Sequence, residues 1–186
     1  EYCHAMGNGP GDFEDYLEII ESNPAMCGGF VWEWCDHAVY KGTTEDGRAI
    51  YYYGGDHGEI IHDSNFCVDG LVSPDRQPHV GLLEFANVHR PVRAAGFNQA
   101  TGELRLRNNL DFTNLAGLVS VSYEVTRDGE VIESGTIESL PSIPPRATGS
   151  VHCGITIPDS GRCYLTVTYH LIGATELVPA GHSLGF

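Results

Sequence analysis

The chain has 186 residues, 10 Lys+Arg against 25 Asp+Glu, a formal net charge of −15 with His neutral, and 41% hydrophobic residues. That length fits one large domain or two small ones, and 10% aromatic with only 19% charged residues supplies apolar surface for a packed core rather than a disordered chain. An acidic chain without a Lys/Arg cluster repels phosphate backbones and anionic lipid, which argues against nucleic acid and membrane surfaces as partners, and no apolar run approaches the roughly 20 residues that span a bilayer.

The chain opens at Glu1 with neither an initiator Met nor a charged start followed by an apolar stretch, so it reads as a cut segment without a readable leader. Six Cys (Cys3, Cys27, Cys35, Cys67, Cys153 and Cys163) form no CxxC pair, so a zinc ribbon is unsupported and reduced thiols are expected. The expected compartment is the cytoplasm. Cys153 and Cys163 flank the turn Pro158-Asp159-Ser160-Gly161, and a disulfide across a hairpin there stays open.

In chain order, the first element is a helix over 12–22. Phe13, Tyr16, Leu17 and Ile20 form one apolar stripe, and Asn23-Pro24 ends it. Gly28-Gly29-Phe30-Val31-Trp32-Glu33-Trp34 is apolar up to Val31, as expected of a strand covered on both faces in a parallel sheet, with Glu33 near its exposed end. Trp32 and Trp34, two positions apart on a strand, point to one face. Between Cys35 and Pro78 no periodicity lasts, and Gly, Asp, His and Asn accumulate; a loop of that length usually has a task. A second helix is expected over 75–88, carried by Val80, Leu83 or Glu84, and Asn87, with Leu82 and Phe85 beside them. Pro91 disfavours helix at Arg90, which places a boundary near residue 91.

Beyond it the pattern changes to short alternating strands over 104–107, 119–125, 131–137, 150–157 and 164–171. They are separated by turn signals at the spacing of an antiparallel sandwich. This half scatters its His residues (His152, His170, His182) and reads as a support or interaction module.

Three clusters could carry chemistry: Glu1-Tyr2-Cys3-His4, Trp32-Glu33-Trp34, and the stretch from Asp56-His57 through Asp63 to Asp69. His57 and His62 with Asp56, Glu59 and Asp63 are ligands by type, yet their spacing matches neither HExxH nor a structural zinc pattern. Asp63, Asp69 and loop carbonyls suit a hard cation better. The sum is a pocket at one end of a buried parallel sheet, with a carboxylate, a His and a Trp. Carbohydrate enzymes combine such groups, because carboxylates do acid/base or nucleophilic work and aromatic faces pack on sugar rings.

Glu1-Tyr2-Cys3-His4-Ala5-Met6-Gly7-Asn8 resembles the nucleophile motif E-Y-x-H-A-M-G-N of the large β-galactosidases of glycoside hydrolase family 2. Further resemblances follow in the family's order. Residues 28–34 are similar to G-G-F-V-W-[DE]-W, Tyr53-Gly54-Gly55-Asp56 to Y-G-G-D, and 65–71 to [QN]-F-C-x-[ND]-G-L. Pro179-Ala180-Gly181-His182 resembles the stretch that closes the family's fourth domain.

The resemblance implies an α/β plus all-β chain. Residues 1–91 would be the C-terminal part of a (β/α)8 TIM barrel, and 92–186 an immunoglobulin-like β-sandwich. It implies a retaining enzyme that hydrolyses terminal β-D-galactose residues in β-galactosides such as lactose, with Glu1 as nucleophile. Tyr2, His4, Trp32 and Asp69 would contact the sugar, and the Phe66 carbonyl with Asp69 would hold a sodium ion. Magnesium would belong to the full enzyme through residues outside this chain. Asp69 stands where the best-known members have Asn, and His62 where some have an Asn near a magnesium site. The acid/base and substrate-gripping domains would lie upstream, so the segment alone is expected to be inactive. The remaining domains of the same enzyme would be its partners, within a homo-oligomer. The alternatives are a noncatalytic sandwich module for assembly, a relative with β-glucuronidase or β-mannosidase specificity, and a metalloprotein built on His57 and His62.

Overall fold

Residues 13–22 coil into helix α1 (Phe13–Ser22), with Glu14 and Asp15 in its first turn, where acidic side chains complement the helix dipole. The structure, a computed structural model, describes residues 1–186 and divides into two units, Glu1–Val88 and His89–Phe186. In the first unit, Phe13 is 1% exposed and joins Cys3, Leu71 and Val88 in a small core, against which Tyr2, Leu17, Val31, Leu82 and Phe85 pack.

The continuous buried strand expected over 28–34 does not form. Phe30 is 85% exposed and Trp34 60%, and only isolated parallel bridges remain, Tyr2 to Val31 and Cys35 to Val72. The backbone nevertheless runs between two neighbours. Phe30 O and Trp32 O accept from Tyr2 N (3.0 Å) and Ala5 N (2.8 Å), while Glu33 N donates to Asp69 O (2.7 Å) and Val72 N to Trp34 O (3.0 Å). Three segments thus lie side by side in parallel. The two Trp face solvent because this unit sets no apolar layer against them.

The long stretch between Cys35 and Pro78 is not wholly irregular. It contains an antiparallel hairpin, β1 (Val39–Thr43) and β2 (Ala49–Tyr52), whose register shifts at Gly42. That bulge and largely exposed strands hide the alternation from a sequence reading. The second helix is shorter than expected: α2 runs Val80–Val88. Residues 73–77 are taken by a turn in which Ser73 Oγ accepts from Gln77 N (3.1 Å) and Arg76 has φ 68°, and Pro78 follows. Its packed side is Leu82, Phe85 and Val88, whereas Val80 and Leu83 are exposed.

The second unit is a sandwich of two antiparallel sheets. One holds β3 (Val92–Asn98), β4 (Glu103–Asn108) and β7 (Thr148–His152) in the order β3-β4-β7. The other holds β5 (Val119–Arg127), β6 (Glu130–Ile137), β8 (Cys163–Leu171) and β9 (Ser183–Gly185) in the order β6-β5-β8-β9. Alternation builds the core: Leu104 and Leu106 of one sheet meet Val119, Val121, Val167 and Tyr169 of the other. The expected strand over 150–157 is β7, two residues earlier at its start and ending at His152. Because β7 and β8 belong to different sheets, 153–163 is a crossover rather than a hairpin, and Cys153 and Cys163 are both free, as are the other four Cys.

One buried polar residue ties the sandwich loops together. Asn108 is 0% exposed; its Nδ2 donates to Thr113 O (2.9 Å) and Ile143 O (3.0 Å), and its Oδ1 accepts from Leu110 N (2.9 Å). Asn108→Ala strands these groups in a dry interior and is expected to cost about 3 kcal/mol, read as a lower urea midpoint at unchanged m.

Candidate active site

The three parallel segments carry the motif residues at one end. Glu1 is exposed just ahead of the Tyr2–Val31 bridge. His4 follows two residues after that bridge, with its Nδ1 accepting from Met6 N at 3.4 Å, and its Nε2 lies 3.7 Å from Asp69 Oδ2. Phe66 stands edge-on to the His4 imidazole, centroids 5.9 Å apart. Trp32 is 47% exposed. Tyr2 packs its ring on Phe13 and Tyr16, and burial pushes its hydroxyl above the ordinary range. The structure therefore brings His4, Phe66 and Asp69 together and holds Trp32 on the adjoining segment, with Tyr2 set against α1.

Asp69 is the unusual group. It is fully buried, and neither carboxylate oxygen has a hydrogen-bond partner. A buried carboxylate without donors is costly unless a cation compensates it. Its oxygens suit a hard monovalent cation. The chemistry of the donor set is thus compatible with sodium despite Asp standing in place of Asn.

Beside it sits Glu33, whose carboxyl is raised above the usual Glu range, first by burial, then by the Asp69 carboxyl next to it; His37, 3.2 Å away, opposes the rise. The folded-state pKa exceeds the unfolded value of about 4.3. The proton on Glu33 thus contributes stability that is whole below that value and is lost as pH rises through the folded one. Glu33→Gln is expected to remove this part of the decline of Tm with rising pH, so parent and variant melting curves should converge in acid and separate toward neutrality.

The His/Asp stretch is spent on its own loops. Asp56 Oδ2 accepts from Tyr53 N (2.9 Å), Glu59 accepts from Gly55 N (2.6 Å) and His57 N (3.0 Å), and His62 Nδ1 from Ser64 N (3.2 Å). The Gly55 bond holds the Glu59 carboxyl below its ordinary range. No three His, Cys, Asp or Glu side chains converge as a metal centre.

Sequence reasoning missed Asp36 and His79. Asp36 Oδ2 is 2.9 Å from His79 Nε2, and its Oδ1 accepts from Gly70 N at 2.8 Å. A cavity of about 440 Å³ opens beside them, lined also by Ala5, Asn8 and Tyr53; neither Glu1 nor Trp32 lines it. The available signal was an acid that directly follows Trp34-Cys35 at the end of the Trp segment. No helix is long and apolar enough to cross a membrane.

Residues 1–94 match the family described as glycosyl hydrolases family 2, TIM barrel domain, and residues 104–186 match beta-galactosidase, domain 4. The whole chain is 47% identical over 188 residues to a beta-galactosidase of Actinobacillus pleuropneumoniae, covering 18% of that relative. It is 49% identical over 126 residues to a beta-galactosidase of Staphylococcus xylosus, covering 68% of this chain and 12% of the relative. Similarity to a beta-galactosidase of Arthrobacter sp. (strain B7) is 37% over 190 residues, covering 99% of this chain and 18% of the relative. The chain thus spans less than a fifth of the length of these curated relatives.

Proposed function

The chain belongs to glycoside hydrolase family 2, and on that premise we propose that it is part of a retaining β-galactosidase acting on terminal β-D-galactose residues, lactose among them. The observation that carries the proposal is the convergence of His4, Phe66 and the buried, unpartnered Asp69 at one end of three parallel segments, with Glu1 and Trp32 on the first two. Residues 1–91 then form the closing part of the catalytic barrel and 92–186 an immunoglobulin-like sandwich. Barrel enzymes keep their chemistry at the C-terminal ends of the strands, which is where these side chains would stand.

Retention needs two carboxyl groups about 5 Å apart. Glu1 attacks the anomeric carbon as the leaving oxygen takes a proton from the second group, giving a glycosyl ester; water, deprotonated by that same group, then releases the sugar and regenerates the Glu1 carboxylate. The second group comes from another part of the enzyme, so the 186 residues alone are inactive. His4 binds a sugar hydroxyl and the Trp32 ring covers an apolar sugar face, while Tyr2, packed on α1, holds the segment between Glu1 and His4 in place. Asp69 and the Phe66 carbonyl would hold a monovalent cation, which would fix a sugar hydroxyl; magnesium would bind elsewhere in the enzyme. The active assembly is a homo-oligomer of the complete chain.

Incubating the intact enzyme with 2-deoxy-2-fluoro-galactosyl fluoride tests this directly. Fluorine at C2 slows both steps while fluoride leaves readily, so the ester accumulates. Peptide mass spectrometry is expected to find the added sugar on Glu1. A label on another residue, or none while turnover continues, would reject the assignment.

A further inference from the structure

Asp36 is 7% exposed, and a carboxylate taken out of water must be compensated by hydrogen bonds. Its partners are chosen from two segments: Oδ1 accepts the Gly70 N–H at 2.8 Å, and Oδ2 meets His79 Nε2 at 2.9 Å. The main chain repeats the tie, since Asp36 N donates to Val72 O and His79 N to Leu71 O, both at 3.0 Å. The Gly70 N–H belongs to the same peptide unit as the Asp69 carbonyl, and that carbonyl accepts from Glu33 N at 2.7 Å. One peptide plane is therefore gripped at both ends, by a main-chain donor and by the Asp36 side chain. Fixing that plane fixes the axis about which the Asp69 Cα–Cβ bond turns. Asp69 itself has no hydrogen bond to hold its carboxylate in place, so its aim depends on this grip.

We propose that Asp36, oriented by His79, is a positioning residue of the reaction. It touches neither sugar nor cation; by clamping the Asp69–Gly70 peptide it aims the Asp69 carboxylate beside His4 at the cation and the sugar hydroxyl. This rests on the function proposed above. The His79 side chain is 49% exposed while Asp36 is 7%, so the clamp can be loosened from its open end without emptying the core.

The test uses the intact enzyme carrying His79→Ala, His79→Gln and Asp36→Asn. Sodium-23 relaxation titrations give cation affinity, and galactoside kinetics across sodium concentrations separate KM from kcat. His79→Ala is expected to raise the half-saturating sodium concentration and KM about tenfold, as loss of one charge-assisted hydrogen bond implies, with a smaller change in kcat. His79→Gln, which keeps an N–H donor, is expected to recover most of the loss, and Asp36→Asn to fall between. The melting temperature without sodium should stay close to that of the parent. Sodium affinity and KM within twofold of the parent in both His79→Ala and Asp36→Asn, while Asp69→Ala loses the cation, overturns the clamp and leaves the proposed function standing. A lowered melting temperature with unchanged sodium affinity likewise overturns it, as a purely structural role. If Asp36→Asn does not fold, the two His79 variants decide alone. A parent that neither binds sodium nor forms the glycosyl ester fails before any variant is made, and the proposal falls with the function it rests on.

Discussion

Glu1→Gln in the intact enzyme is expected to lower kcat/KM on a nitrophenyl β-galactoside by about 10⁴-fold or more, close to 5.5 kcal/mol of transition-state stabilisation. Gln matches Glu in shape and keeps a carbonyl toward the anomeric carbon, but its amide is a far weaker nucleophile. The covalent route closes while sugar binding survives, so the loss should fall on kcat rather than KM. Glu1 is exposed and carries none of the core, so the fold should not change and the melting curve should overlay that of the parent. Glu1→Ala adds a stereochemical readout. The vacated space admits azide on the face opposite the leaving group, and one displacement in place of two yields the α-galactosyl azide. Activity within tenfold of the parent for Glu1→Gln, or a β-azide product, would remove Glu1 from the reaction.

What could be read from the residues depended on where each element finds its partners. β5 and β8 alternate cleanly because one face meets a core made within the same unit; Val119, Val121 and Val125 are all 0% exposed. The α1 stripe was legible for the same reason, although only Phe13 is deeply buried. Residues 28–34 misled because continuous apolar character signals cover on two faces, whereas within this unit Phe30 and Trp34 are open and only their main chain is paired. β3 was missed at Gly96, where φ of 151° and a register shift break the alternation. At the site, motif resemblance pointed to Glu1, Tyr2, His4, Trp32, Phe66 and Asp69, and of these His4 lies against both Phe66 and Asp69 while Tyr2 packs on α1. Asp36 and His79 lie 43 positions apart and form a pair only through the folding of 69–72 between them, which no local pattern encodes.

Gly70→Ala is the second substitution from which a large loss is expected, and its origin is steric. A Cβ at residue 70 would lie 2.2 Å from Asp36 N, 2.4 Å from Cys35 C and 2.6 Å from Cys35 Cα. All three are main-chain atoms, so no side chain can swing aside; the 69–72 segment must move away from 33–36. Separation by about 1 Å suffices to relieve the contact, and it breaks the hydrogen bonds from Gly70 N to Asp36 Oδ1 and from Glu33 N to Asp69 O together. Misplacement of a positioning group by that distance costs about 10²-fold in rate. Gly70→Ala in the intact enzyme is therefore expected to lower kcat/KM by at least 10²-fold and to weaken sodium binding in parallel. Gly96→Ala is its steric control, for a Cβ there meets nothing within 4 Å. Its positive φ makes it a strained position too, so it reports backbone strain in the sandwich without touching 69–72. Wild-type sodium affinity and kcat/KM in Gly70→Ala would mean that the segment absorbs the shift, and that the close fit of Gly70 against Cys35 and Asp36 does not set the aim of Asp69.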